Sequence, residues 1–206
     1  MCGADFKRLE EFNTTIAPLI SNLTKESSKT VNEKSAGIAR TLHYYRDVLR
    51  ISSSKPNLTS RQKSLLELYS YLVVAEGIFS ETLQVIAFIL LQNHHDIYDA
   101  ERREFVRNYE ELNNLSLREK MQFVEMHGFK FVSGACDRDL RNSIAHLRTI
   151  VNEDGSIVEI TRKGETGKVI KDLYEKTRYL IGVCTLTVVE VRRLVGKHLE
   201  AESKKE

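Results

Sequence analysis

The chain has no tryptophan, two prolines and ten glycines in 206 residues, too few turn formers for a fold of many short strands and hairpins. Long helices suit that composition, and the reading is all-α. Cysteine is scarce too. Cys2, Cys136 and Cys184 are odd in number and lack metal-ligand spacing, which argues against a disulfide framework and for a reducing compartment. An excess of one charge is missing: 31 Lys and Arg against 29 Asp and Glu leave a formal charge of +2. No global field marks a polyelectrolyte binder, and any basic site must be local. The longest charge-free apolar stretch, Thr82 to Gln92, falls short of the roughly 20 residues that a bilayer crossing needs. Met1 to Arg8 hold no apolar signal core, so the expected location is cytoplasmic, with no membrane partner.

What is present is an ordinary globular mixture, 41% hydrophobic and 29% charged, long enough for one domain with a substantial core. Residues 5–25 carry Phe6, Leu9, Phe12, Ile16, Leu19, Ile20 and Leu23 at helical intervals, and residues 31–51 read similarly. Together they predict an N-terminal helical hairpin on the surface, an extension covering residues 1–55. Ser52 to Asn57 is a break, and Thr59 or Ser60 can cap the helix that follows. From there to residue 202 the chain reads as the main helical domain. Leu65 to Leu91 is apolar nearly all round and predicts a long central buried helix. Glu76 stands within it among Leu72, Val73, Val74, Ile78 and Phe79, where an unpaired carboxylate is costly. It needs a partner, and two readings stay open: a pairing with Arg141 or His146 in support of a site, or the more ordinary solvent-facing position or lock to any arginine.

His94-His95-Asp96 ends the long helix. Adjacent side chains on a helix diverge and no ligand stands at i+4, so neither metal nor cofactor is assigned. Residues 98–127 offer shorter helical pieces with Arg102, Arg103 and Arg107 on a polar face. A helix is expected from about 136 to 149, then a small β-hairpin turning at Asp154-Gly155 between β-branched runs. Arg162, Lys163, Lys168 and Lys171, offset by Glu159, Glu165 and Asp172, read as a solvated loop. Residues 168–202 predict a final long helix.

Chemistry concentrates in Arg141-Asn142-Ser143-Ile144-Ala145-His146. With 16 arginines and 6 histidines, Arg-x4-His alone arises by chance about 0.5 times; requiring Asn directly after Arg lowers that to about 0.02. Arg193 to His198 matches the spacing but not the asparagine. A guanidinium grips phosphate bidentately and stays charged, and an imidazole can take a proton from a ribose 2′-hydroxyl or give one to a leaving oxygen. Asn142, one turn before His146, can orient the ring or a phosphate oxygen. At about 100° per residue, Leu140, Ile144, Leu147 and Val151 form the core stripe, with Arg141 and His146 on opposite flanks about 140° apart. One ideal helix cannot aim both at a single small target, so the expectation is a composite site shared with an antiparallel second copy across Ala145. Arg138 and Arg148 flank the motif as substrate-binding candidates or as solvated charge.

Arg-Asn-x-x-x-His on a helix, after a long apolar helix and before a helical C-terminus, resembles the HEPN superfamily (higher eukaryotes and prokaryotes nucleotide-binding) over residues 59 to 200. The resemblance implies an α-helical bundle dimerising around the motif helices. In many members it implies a metal-independent endoribonuclease leaving a 2′,3′-cyclic phosphate and a 5′-hydroxyl. By position Arg141 would bind the scissile phosphate, Asn142 would position it, and His146 would be the general acid or base. The implied partners are RNA, a second copy, and an antitoxin or regulatory protein in a toxin or defence setting. Where HEPN toxins paired with nucleotidyltransferase antitoxins carry a tyrosine two places after the histidine, this chain has Arg148. The rival expectation is a non-catalytic helical module binding RNA, nucleotide or protein through the same face.

Overall fold

The computed structural model describes residues 3–53, 57–99, 104–161 and 166–204. Its architecture is mostly helical. Two helices, α1 (Gly3–Ser21) and α2 (Lys25–Ser53), precede a continuous rod made of α3 (Ser60–Val73), a π turn (Val74–Phe79) and α4 (Ser80–Gln92). The rod starts at Thr59, whose hydroxyl accepts the Gln62 N–H at 3.2 Å while Gln62 Oε1 accepts the Thr59 N–H at 2.9 Å. This reciprocal capping box satisfies two otherwise orphaned donors. Ser60–Gln92 is long and apolar enough to cross a bilayer, but it is largely buried inside the protein. Thr82 to Leu90 are buried without interruption, as expected of a central helix. The first half departs from that expectation: Leu65, Leu66, Tyr69 and Val73 face outward.

The last helix, α8 (Leu173–Ser203), packs against α1, α2, α3 and the π turn. A helix of this length spans about 45 Å, enough to receive several partners along one rod. Phe12, Ile16 and Ile20 of α1 and Val31, Ile38 and Leu42 of α2 share one core with Phe79, Leu83, Leu180 and Val191. The N-terminal helices are therefore built into the core, which corrects the surface hairpin expected from their polar composition. Their polar faces are real, but each turns its apolar stripe towards α8 or the rod.

Between α4 and the motif region the chain forms two short paired strands, β1 (Tyr98–Asp99) and β2 (Glu104–Phe105), then α5 (Leu117–Met126) and α6 (Lys130–Ser133). The helical pieces expected over 98–127 thus begin with a 3-10 turn at Glu111–Asn114 and become α-helical at Leu117, where Ser116 and Glu119 form a second capping box. Arg102 and Arg103 lie outside the described residues. The motif helix α7 (Arg138–Ala145) leads into β3 (Thr149–Val151), β4 (Ile157–Ile160) and β5 (Thr166–Ile170), an antiparallel sheet in that order. The hairpin at Asp154-Gly155 is present, but a third strand joins it and α8 starts at Leu173 rather than 168. Val169 pairs with Val158 and Ile170 with Ile157, so cross-strand apolar contact outweighs the helical reading of those residues.

Gly155 occupies φ +87°, and a Cβ there would meet Ser60 Cβ at 2.8 Å and its carbonyl carbon at 2.9 Å. Ser64 Oγ donates to the Gly155 carbonyl at 2.6 Å, and Arg61 pairs with Glu153. The sheet tip is thereby seated on the first turn of α3. Gly155→Ala is expected to destabilise the fold by about 1–3 kcal/mol, checked by urea denaturation; an unchanged midpoint would show that the tip is not seated this way.

Candidate functional site

The motif helix is anchored at its start through its own cap residue, which two other helices hold. Asp137 is its N-cap, accepting the Leu140 N–H at 3.1 Å. The Tyr71 hydroxyl, from α3, accepts the Asp137 N–H at 3.0 Å and donates to the Asp137 carbonyl at 3.2 Å. From α8, Lys176 Nζ meets Asp137 Oδ2 at 2.9 Å. Burial alone would push the Asp137 carboxyl up, but the hydrogen bonds from Lys176 and Leu140, with the Lys176 and Lys168 charges, hold it below its ordinary value. A depressed carboxyl contributes stability that is present above the unfolded value near 3.9 and lost as pH falls through the folded one. Asp137→Asn is therefore expected to be less stable at neutral pH and to show a shallower acid slope below about pH 4. A pH series of thermal melts tests this, and a slope identical to wild type would contradict it. The neighbouring Cys136 thiol is buried and pushed up by desolvation, which makes it a core residue rather than a nucleophile.

At the other end the structure corrects the expected helix of 136–149. Helical geometry stops at Ala145, with His146 as the capping residue. Leu147 takes a left-handed φ of +53°, its N–H bonding the Ile144 carbonyl at 3.0 Å and the Arg148 N–H bonding that of Ser143 at 2.7 Å. This is a Schellman closure, and it releases Thr149-Ile150-Val151 to pair with β4. Leu147 consequently points into solvent, against its expected place in the core stripe; Leu140, Ser143 and Ile144 form the buried face instead. The Ser143 hydroxyl donates to Glu159 of β4, and the Ile160 N–H bonds the Arg148 carbonyl at 2.7 Å. The sheet is thereby fastened to the motif segment.

The outcome is an open cleft of about 710 Å³ between α7, the start of α5 and the sheet. Arg141, Asn142 and His146 all line it, together with both flanking candidates, Arg138 and Arg148. His146 stands where the helix ends, and it lines the same open cleft as Arg141. One chain brings the arginine and the histidine to one cavity. Arg118 of α5 and Lys168 of β5 add two more cations, against the carboxylates Asp139 and Glu159. A nearly neutral chain thus has a locally basic cleft.

Glu76 is half-exposed on the π turn and forms an ion pair with Arg141 Nε, while Arg141 Nη1 donates to Asn142 Oδ1 at 2.8 Å. Both sequence alternatives for Glu76 meet here: it reaches solvent, and its arginine is the motif's own. The π turn displaces the helical register at this carboxylate, a feature often found at functional positions. The Arg141 side chain is about a quarter exposed and lines the cleft. Arg138 is half-exposed and paired with Glu125 at 2.8 Å. The second Arg-x4-His copy is absorbed structurally, Arg193 by Glu190 at 2.9 Å and His198 by the Leu23 carbonyl at 3.0 Å.

Several contributors were not apparent in the sequence. Glu159 and Lys168 had read as solvated loop, and Tyr71 as one more apolar residue of the rod. Alternation over Ile157 to Ile160 could have placed Glu159 on a strand face, whereas nothing local assigns Tyr71 to Asp137. Lys120 of α5 was also missed. It is 4% exposed, with Nζ 3.2 Å from both Ser80 Oγ and Gln84 Oε1. Burial lowers its basicity against the opposing pull of Glu81 and Glu76. The His94-His95-Asp96 cluster lines no part of the cleft; the His95 ring instead meets that of His127 at 4.5 Å. Comparison with protein-family models, with curated proteins and with solved structures finds no match to this chain.

Proposed function

We propose that the cleft is a metal-independent endoribonuclease site of the HEPN type. The observation that carries the reading is the convergence of Arg141, Asn142 and His146 on one basic cavity with Arg138 and Arg148 at its edges. Arg141, oriented by Glu76 and Asn142, would offer its guanidinium to the scissile phosphate as a charge-assisted donor. His146 exchanges a proton with the reacting oxygens: the ribose 2′-oxygen attacks phosphorus, the bond to the 5′-oxygen breaks, and the products are a 2′,3′-cyclic phosphate and a 5′-hydroxyl. The second proton transfer falls to a second copy of the chain, whose own imidazole reaches the same linkage in a homodimer. A cytoplasmic toxin or defence role, held in check by an antitoxin or regulatory protein, belongs to the same proposal.

The rival reading, a non-catalytic module for RNA, nucleotide or protein, draws on one specific feature: Arg141 is already paired with Glu76 in the free protein. Incubating the protein with mixed RNA in EDTA and analysing fragment ends separates the two. Cleavage to cyclic phosphate ends supports the enzyme. Binding without cleavage supports the module, and metal-dependent cleavage overturns the stated chemistry.

A further inference from the structure

Leu147 combines two unfavourable features. Its backbone lies in the left-handed region at φ +53°, which is unfavourable for any residue with a Cβ and is usually filled by glycine at this point of a Schellman closure. Its side chain is 89% exposed, the highest value among the large apolar residues described. The apolar contact that commonly accompanies such a helix end joins the positions held here by Ser143 and Arg148, so the leucine gains nothing from its own helix. Glycine would relieve both features. Strain and exposure retained together at one residue point to a contact outside the chain.

The flanking residues say what that contact is. Leu147 does not itself line the cleft; it stands exposed between His146 and Arg148, which line it together with Arg118 and Lys168. A single leucine among cations suits a ligand that alternates anionic groups with flat apolar ones, which describes a single-stranded nucleic acid. Every base has an apolar face, so such contact tolerates any sequence. We infer that Leu147 seats the base of the nucleotide beside the scissile phosphate, a positioning role that rests on the RNA reading above.

Fluorescence anisotropy with an uncleavable 2′-O-methyl RNA oligomer, with and without one central abasic site, tests this alongside cleavage kinetics on ordinary RNA. Leu147→Gly is expected to melt at a higher temperature than wild type yet bind the intact oligomer about 10-fold more weakly. Its KM should rise by a similar factor with kcat little changed, Leu147→Met should retain affinity, and the abasic oligomer should bind wild type and Leu147→Gly alike. Wild-type affinity and KM in Leu147→Gly, with an active parent, overturn this inference alone. A wild type that neither binds nor cleaves RNA overturns the RNA reading and this inference with it. Lost self-association at unchanged RNA affinity assigns the leucine to a protein contact and overturns the base-seating role.

Discussion

His146→Ala is expected to slow RNA cleavage by about 10²–10⁴-fold, the usual contribution of a positioned general acid or base, without weakening the fold. The second half of that expectation follows from the structure. The ring is exposed and makes no hydrogen bond among the described residues, and only the backbone of His146 closes the helix, onto Asn142 and Ile144. Arg141→Ala should lower cleavage comparably but also leave Glu76 without its cation, so some stability goes with it. Arg141→Lys keeps the charge and loses the fork, and should recover little. His198→Ala supplies the contrast: its ring bonds the Leu23 carbonyl, so stability should fall while cleavage is unaffected. Gel assays of cleavage in EDTA beside thermal melts resolve the four variants. Wild-type rates in His146→Ala would remove the imidazole from the mechanism.

The largest structural effect is expected at Tyr71. The side chain is almost wholly buried, and its hydroxyl meets both the N–H and the carbonyl of the residue that caps the motif helix. Tyr71→Ala opens a cavity and should lower the unfolding free energy by about 3–5 kcal/mol. Tyr71→Phe keeps the ring and its packing but strands the Asp137 N–H, at about 1–3 kcal/mol. The phenylalanine variant is the informative one, since it separates anchoring from core volume. Its loss should be concentrated at the motif helix, seen as faster amide exchange over residues 138–145, with cleavage reduced in step. A phenylalanine variant that unfolds at the wild-type denaturant midpoint, with unchanged exchange there, would show that the hydroxyl does not anchor the site.

How much of the site was legible before the fold was known depended on how local each signal was. The cap at Thr59, one of the two positions expected, and the turn at Asp154-Gly155 are each decided within four residues, and both stand where expected. The motif itself was legible because arginine, asparagine and histidine have restricted chemistry whatever surrounds them. Its geometry was misjudged for one reason, the assumption that helical periodicity continues through Leu147. Hydrogen bonding between Arg148 and Ile160 and the pairing of Thr149-Ile150-Val151 with β4 end the helix earlier, and these are contacts between residues six to twelve positions apart, beyond the reach of helical periodicity.

The amino-acid sequence alone therefore determined a helical protein with one long apolar rod, the start of that rod, the turn of the hairpin and the residue types available for phosphodiester chemistry. Each of these follows from composition, short-range periodicity or a side chain bonding its own backbone. The tertiary structure decided that α1 and α2 belong to the core, that residues 166–170 form a strand, and that Arg141 and His146 line one cleft with Glu76 paired to Arg141. These outcomes rest on free energies of pairing and burial between distant segments. A one-dimensional pattern carries the residues for such contacts, but only the packed chain selects which of them meet.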